Sequence, residues 1–251
     1  MPDRLPDAPV TDQRRELVAP FFELGPKNLL RLPEIISVAT AAARAGARFG
    51  VSVLLTVPTA LIAPVRAEVP GVYVFAQGMD GDALGATVGR VTAEALMDAG
   101  ADGVMLNHSA SRSATGDSLI HLIERAHRNG LRTMVCADTE DEVLGLLPLQ
   151  PSIILFEPPE LIGGTHRAER PWIASTNARA RAISTDTLLM HAGGVSAPED
   201  ARSILAAGAD GTGSTSAVLL SEDPPAAAFL YIEAVRRGFD EYAHNTQEGA
   251  K

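Results

Sequence analysis

The chain has 251 residues, 46% of them hydrophobic, with 22 glycines and a mean hydropathy of +0.09, enough for one large buried core. A formal net charge of −10 argues against the basic patch of a nucleic-acid binder, and the single cysteine, Cys136, excludes a disulfide framework and fits a reducing cytoplasm. No apolar run approaches the ~18–20 residues of a membrane span, and the polar, proline-containing start is not a signal peptide.

Residues 1–16 read as a flexible arm, 17–240 as one domain and 241–251 as a polar tail. The first strand is expected at Leu17–Glu23, followed by Gly25-Pro26-Lys27. A lysine just past a strand end supplies a fixed positive charge for an anionic group; a solvated surface lysine is the competing reading. A helix over Leu32–Ala45, ended by Gly46, leads to a strand at Arg48–Leu55. A short helix at Thr59–Arg66, a strand at Val72–Ala76 and a helix at Val91–Ala99, closed by Gly100, come next.

The fourth strand, Gly103–Leu106, runs into Asn107-His108-Ser109. A neutral imidazole there donates a hydrogen bond to a developing enolate oxygen and shuttles a proton, unless neighbouring groups merely satisfy it. The pattern then predicts a helix at Asp117–Asn129 ended by Gly130, a strand at Arg132–Cys136 and a helix at Glu140–Leu146. Cys136 reads as a small core residue, and His121 and His127 as surface residues on their helix. His166 and His191 lack partners at metal-ligand spacing, so no metal is assigned.

The sixth strand, Ser152–Phe156, ends on Glu157, and Pro158-Pro159-Glu160-Leu161-Ile162-Gly163-Gly164-Thr165 follows as a loop. A carboxylate at the C-terminal end of a buried strand, beside a loop that closes, suits a catalytic base; a carboxylate that caps the strand and faces water is the alternative. Glu160 fits a loop-closing contact better than a second base. After a helix at Arg170–Ile183, the strand Thr187–His191 leads to Ala192-Gly193-Gly194-Val195, and a helix at Pro198–Ala207, ended by Gly208, follows. The last strand, Gly211–Ser214, leads to Thr215-Ser216 and a final helix at Asp223–Arg237. Glycines, small hydroxyls and free backbone N–H groups after the last two strands suit a phosphate, against the alternative of two ordinary turns.

Strict alternation of eight strands and helices points to a single (β/α)8 barrel. An open doubly wound sheet shares the alternation, but the turn after the first strand lacks a G-x-G-x-x-G pattern. In a barrel the strand-end residues above surround one mouth.

In their order, Gly25-Pro26-Lys27, Ala76-Gln77, Asn107-His108-Ser109, Cys136-Ala137-Asp138, the Glu157 loop, Ala192-Gly193-Gly194-Val195 and Gly213-Ser214-Thr215-Ser216 resemble the triosephosphate isomerase family over about residues 18–237, most closely its archaeal-type branch. The resemblance implies an aldose–ketose isomerase that interconverts dihydroxyacetone phosphate and glyceraldehyde 3-phosphate without metal or organic cofactor. It implies Glu157 as base, His108 as the group polarising the carbonyl and Lys27 as the stabilising charge. Gly25, Gly163, Gly194, Val195, Thr215 and Ser216 would contact substrate, and Pro158–Thr165 would be a lid. It also implies a cytoplasmic homodimer or homotetramer joined through the loop Gln77–Gly89. Two positions depart from the family pattern: Gly25 stands where an Asn is usual, and Ala110 where a Glu is usual. An isomerase of another phosphorylated sugar, such as a tetrulose phosphate, and a non-catalytic phosphosugar-binding barrel remain the alternatives.

Overall fold

The computed structural model describes residues 15–112, 114–161 and 170–249. Its strands are β1 (Phe21–Leu24), β2 (Ser52–Val57), β3 (Tyr73–Ala76), β4 (Gly103–Leu106), β5 (Arg132–Ala137), β6 (Ile153–Phe156), β7 (Leu188–His191) and β8 (Gly211–Ser214). They pair in parallel in chain order and β8 returns to β1, closing the barrel that the alternation predicts. The helices are α1 (Leu32–Phe49), α2 (Ile62–Glu68), α3 (Ala93–Asp98), α4 (Asp117–Arg128), α5 (Glu140–Leu146), α6 (Trp172–Arg181), α7 (Pro198–Ala206), α8 (Ser216–Leu219) and α9 (Pro224–Gly249). Among the described residues, no helix is long and apolar enough to cross a membrane.

The two-residue period of each strand divides its side chains between two cores. Phe22, Leu24, Val53, Leu55 and Val74 pack outward against the helices, while Phe21, Leu54, Phe75, Met134, Ile153, Leu155 and Met190 fill the interior. Glycines make room for the larger interior rings. A Cβ on Gly211 would lie 2.4 Å from the Phe21 ring, and one on Gly103 would lie 2.5 Å from that of Phe75. This explains how Gly211-Thr-Gly-Ser214, poor in strand formers, is a barrel strand: its full register with β1 lets the Phe21 ring occupy the missing volume.

Two helix ends differ from expectation. Gly46 does not end α1; the left-handed cap is Gly50, at φ 65°. Gly46 is instead a contact residue, because a Cβ there would lie 2.7 Å from both the Val51 carbonyl oxygen and Val53 Cγ2 on the approach to β2. Likewise α9 continues past Arg237 into the polar tail as far as Gly249. Gly238 is small because α9 crosses α7 there, where a Cβ would be 2.1 Å from the Arg202 carbonyl oxygen. Beyond it an Arg202–Glu241 ion pair and the Tyr242 ring beside Gly208 tether the helix.

Candidate active site

A cavity of about 600 Å³ opens at the C-terminal ends of the strands. Lys27, His108 and Glu157, from the ends of β1, β4 and β6, all line it, as do Gly25, Gly194, Val195, Thr215 and Ser216. Gly163 and the lid residues from 162 onward lie outside the described residues. Of the loop after β6, Pro159–Leu161 forms a 3-10 turn in which Glu160 is exposed.

Two of the three side chains leave a strand through left-handed backbone, and the third continues the sheet. Lys27 is left-handed at φ 47°, and its carbonyl accepts a 2.8 Å hydrogen bond from Gln77 Nε2 at the end of β3. Asn107 is left-handed at φ 60°, which turns the chain into His108. Non-glycine residues held at positive φ cost of order 1–3 kcal/mol each and persist where their surroundings enforce them. Glu157 continues the sheet, its amide donating to the Ala137 carbonyl at 3.0 Å, and its Cγ packs against Gly193, where a Cβ would be only 3.2 Å away.

The electrostatics suit proton transfer. Burial, then the charges of Lys27 and Arg112, push the His108 pKa below its ordinary value, so the ring is neutral near pH 7. His108 Nδ1 accepts from the Ala110 amide at 3.0 Å, which leaves the proton of the neutral ring on Nε2. Burial raises the Glu157 pKa; Lys27 pulls it back and Asp138 pushes it up again. A base with a raised pKa takes up a proton more readily.

The opposite wall consists of the loops after β7 and β8. Gly193 and Gly194 adopt φ of 82° and 61°. The Arg170 guanidinium, buried, donates to the Gly193 carbonyl, and Ser214 Oγ donates to the Val195 carbonyl at 3.0 Å. Asp200 accepts from the amides of Ser196 and Ala197, each at 2.9 Å. These ties hold the two loops rigid next to the space where an anion would sit. They also account for a buried polar layer, since His191, fully buried, places Nε2 2.8 Å from Asn177 Oδ1 and has its pKa pushed down to about 3, by burial and then by Arg170.

The remaining singled-out residues lie where the sequence reading put them. His127 is exposed on α4, with Nε2 3.1 Å from Thr133 Oγ1. His121 is exposed, with Nε2 3.0 Å from the Gly81 carbonyl oxygen. Cys136 lies in the barrel interior, and burial pushes its thiol pKa up. The sequence reading passed over Glu23 and Thr56, both buried and both lining the cavity. A charged residue inside an otherwise apolar strand, Phe21-Phe22-Glu23-Leu24, was the available signal.

With this geometry in place, comparison with known proteins is informative. The model of the family described as "Triosephosphate isomerase" matches residues 30–234. Curated triosephosphate isomerases from two archaea resemble the chain over most of its length. That of Cenarchaeum symbiosum is 34% identical, covering 80% of this chain and 90% of that protein. That of Methanopyrus kandleri is 34% identical, covering 86% of this chain and 94% of that protein. A crystal structure of triosephosphate isomerase from Bartonella henselae superposes with a TM-score of 0.67 at 21% identity, over 88% of this chain and 100% of that one, a likeness of fold.

Proposed function

The chain belongs to the triosephosphate isomerase family, and from that premise we propose that it interconverts dihydroxyacetone phosphate and glyceraldehyde 3-phosphate by moving a proton between adjacent carbons. The Glu157 carboxylate removes a proton from the hydroxyl-bearing carbon next to the carbonyl, and the electron pair moves into an enediolate. Neutral His108 donates from Nε2 to the oxygen that gains charge and then carries protons between the two oxygens. Lys27 offsets the negative charge of the enediolate and the phosphate. Protonated Glu157 returns its proton to the neighbouring carbon, which completes the aldose–ketose exchange.

The phosphate is held by backbone N–H groups of Val195 and Ser216, with Gly194 and Thr215 beside them and Gly163 contributed by the lid. Gly25 contributes backbone to the cavity wall beside Lys27. Pro158–Thr165 closes over the enediolate and keeps water out. The chemistry needs no metal or organic cofactor. The observation that carries this reading is the convergence of an ammonium, an imidazole and a carboxylate from three separate strands on one cavity.

We further read the protein as a cytoplasmic homodimer or homotetramer that associates through the loop Gln77–Gly89. Support comes from Leu84 and Val88 in that loop, which are 72% and 94% exposed in the single chain.

The test is solvent deuterium exchange into dihydroxyacetone phosphate, followed by proton NMR. Wild-type protein should exchange and interconvert the triose phosphates, and Glu157→Gln should lower the rate by about 10²- to 10⁴-fold. Exchange that is indifferent to Glu157 would remove the assignment of the base. Turnover of a four-carbon ketose phosphate without turnover of the triose would replace the substrate.

A further inference from the structure

Glu23 stands where the floor of the cavity would otherwise be apolar. On β1 it shares the inward face with Phe21, and its neighbours on the floor include Leu155, Met190 and Ala192. It is 8% exposed. Two glycines make room for its carboxyl group: a Cβ on Gly25 would lie 2.8 Å from Oε1, and a Cβ on Gly213 would lie 2.9 Å from Oε2. Beside it, on β2, is Thr56, fully buried and also lining the cavity. The Thr56 hydroxyl is closed off from the cavity and turned to the carboxyl group, whose pKa it lowers as a hydrogen-bond donor. The Thr56 carbonyl is approached by Gln77 Nε2 at 3.4 Å.

A carboxyl group in an apolar floor is expensive to keep there, even with one hydroxyl donor beside it. Neither group is needed to fill the barrel, because Leu or Val would occupy the same volume without a desolvation cost. Burial outweighs the Thr56 hydroxyl and the Lys27 charge and raises the Glu23 pKa to about 7, with Glu157 adding to the rise. A carboxyl group at a cavity floor with one hydroxyl donor behind it has acceptor capacity left for a ligand. An anionic phosphate does not suit it, since a carboxyl group repels it. A substrate hydroxyl does, because it donates to a Glu23 oxygen.

We propose that Glu23, positioned by Thr56, forms a hydroxyl-binding subsite on the cavity floor, which contacts the carbon end of the substrate remote from its phosphate and selects hydroxylated phosphate esters over bare alkyl ones. This inference rests on the phosphosugar reading of the pocket and adds one substrate-contacting, specificity-determining residue and one positioning residue to it. The position of Glu23 also accounts for Gly25, since any side chain at 25 would collide with the carboxyl group in its present place.

The experiment measures binding of two unreactive ligands to the full chain by calorimetry: sn-glycerol 3-phosphate, which carries hydroxyls, and propyl phosphate, which carries none. The readout is the ratio of their Kd values. Wild type should prefer the hydroxylated ester, and both Glu23→Leu and Thr56→Val should reduce that preference, the former by about tenfold, the scale of one hydrogen bond to a chargeable group. Each variant is read only where it melts cooperatively, and Thr56→Val, which keeps shape, serves if Glu23→Leu fails to fold. A wild type without preference, or folded variants that keep the wild-type ratio or weaken both esters equally, would overturn the subsite. Deuterium exchange into dihydroxyacetone phosphate is scored separately. Exchange with no change in the ratio sinks the subsite and leaves the isomerase standing; a changed ratio without exchange in wild type does the reverse.

Discussion

At the scale of single residues, the site is a set of groups whose ordinary proton affinities have been moved by burial and by one another. Glu157 is raised above its usual 4.5, and His108 is lowered below its usual 6.5. Carbon-13 NMR of the side-chain carboxyl groups, with Glu157 identified by its disappearance in Glu157→Gln, should give a titration midpoint above 4.5. Nitrogen-15 NMR should find His108 titrating below 6.5. A Glu157 midpoint at or under 4.5 would contradict the balance in which burial outweighs Lys27. Glu23 carries a linked consequence for stability. Its folded-state pKa of about 7 exceeds the 4.5 of an unperturbed carboxyl, so the folded protein holds this proton over a range where the unfolded chain releases it. The contribution of Glu23 is therefore most favourable below pH 4.5, declines as pH rises to about 7, and stays unfavourable by about 3 kcal/mol above that. Glu157 and Lys27, which face Glu23 across the cavity, modulate this in opposite directions. Glu23→Gln should accordingly be more stable than wild type at pH 8 in urea unfolding, and the gain should vanish by pH 4. Equal stabilities at pH 8 would show that the Glu23 carboxyl is not desolvated as described.

At the scale of elements, glycines separate close approaches from mere conformational slack. Where α9 crosses α7, a Cβ on Gly238 would press on the backbone of Arg202 at 2.1 Å, and backbone cannot yield as a flexible side chain can. Gly238→Ala should destabilise the protein by about 1–3 kcal/mol as the helices are forced apart. Gly145, exposed on α5, has nothing within 4 Å of its missing Cβ and no left-handed φ. Gly145→Ala should stabilise by about 0.5–1 kcal/mol through helix propensity and a less flexible unfolded chain. Thermal melts of the two variants check both signs, and a destabilised Gly145→Ala would mean that α5 packs differently. The same contrast explains why a glycine signal misplaced the end of α1. Gly100, Gly130 and Gly208 end or follow helices at positive φ, as their positions suggest. Gly46 and Gly238 look alike in sequence but lie inside helices, selected by a neighbouring strand and a neighbouring helix that no local window contains.

At the scale of the whole molecule, Leu84 and Val88 on the loop that follows β3 are the most exposed large apolar side chains among the described residues. In the oligomer proposed above, replacing both with Asp should give a monomer in light scattering after gel filtration, with unfolding then shifted to lower temperature. A wild type that is monomeric at micromolar concentration would end the reading of that loop as an interface. The amino-acid sequence by itself determined the fold class and pointed to three candidate residues: alternation of apolar runs with helical periods is a local pattern, and Lys27, His108 and Glu157 each follow the end of a strand. Glu23 was illegible for the opposite reason. A residue within a strand faces either the helices or the barrel interior, and only the closed register of β1 between β2 and β8 turns its carboxyl group inward, between Gly25 and Gly213 and beside Thr56. What the tertiary structure alone decided is therefore the character of the cavity floor, because desolvation of an acid and its pairing with a buried hydroxyl arise from residues distant in the chain and have no counterpart in any single stretch of it.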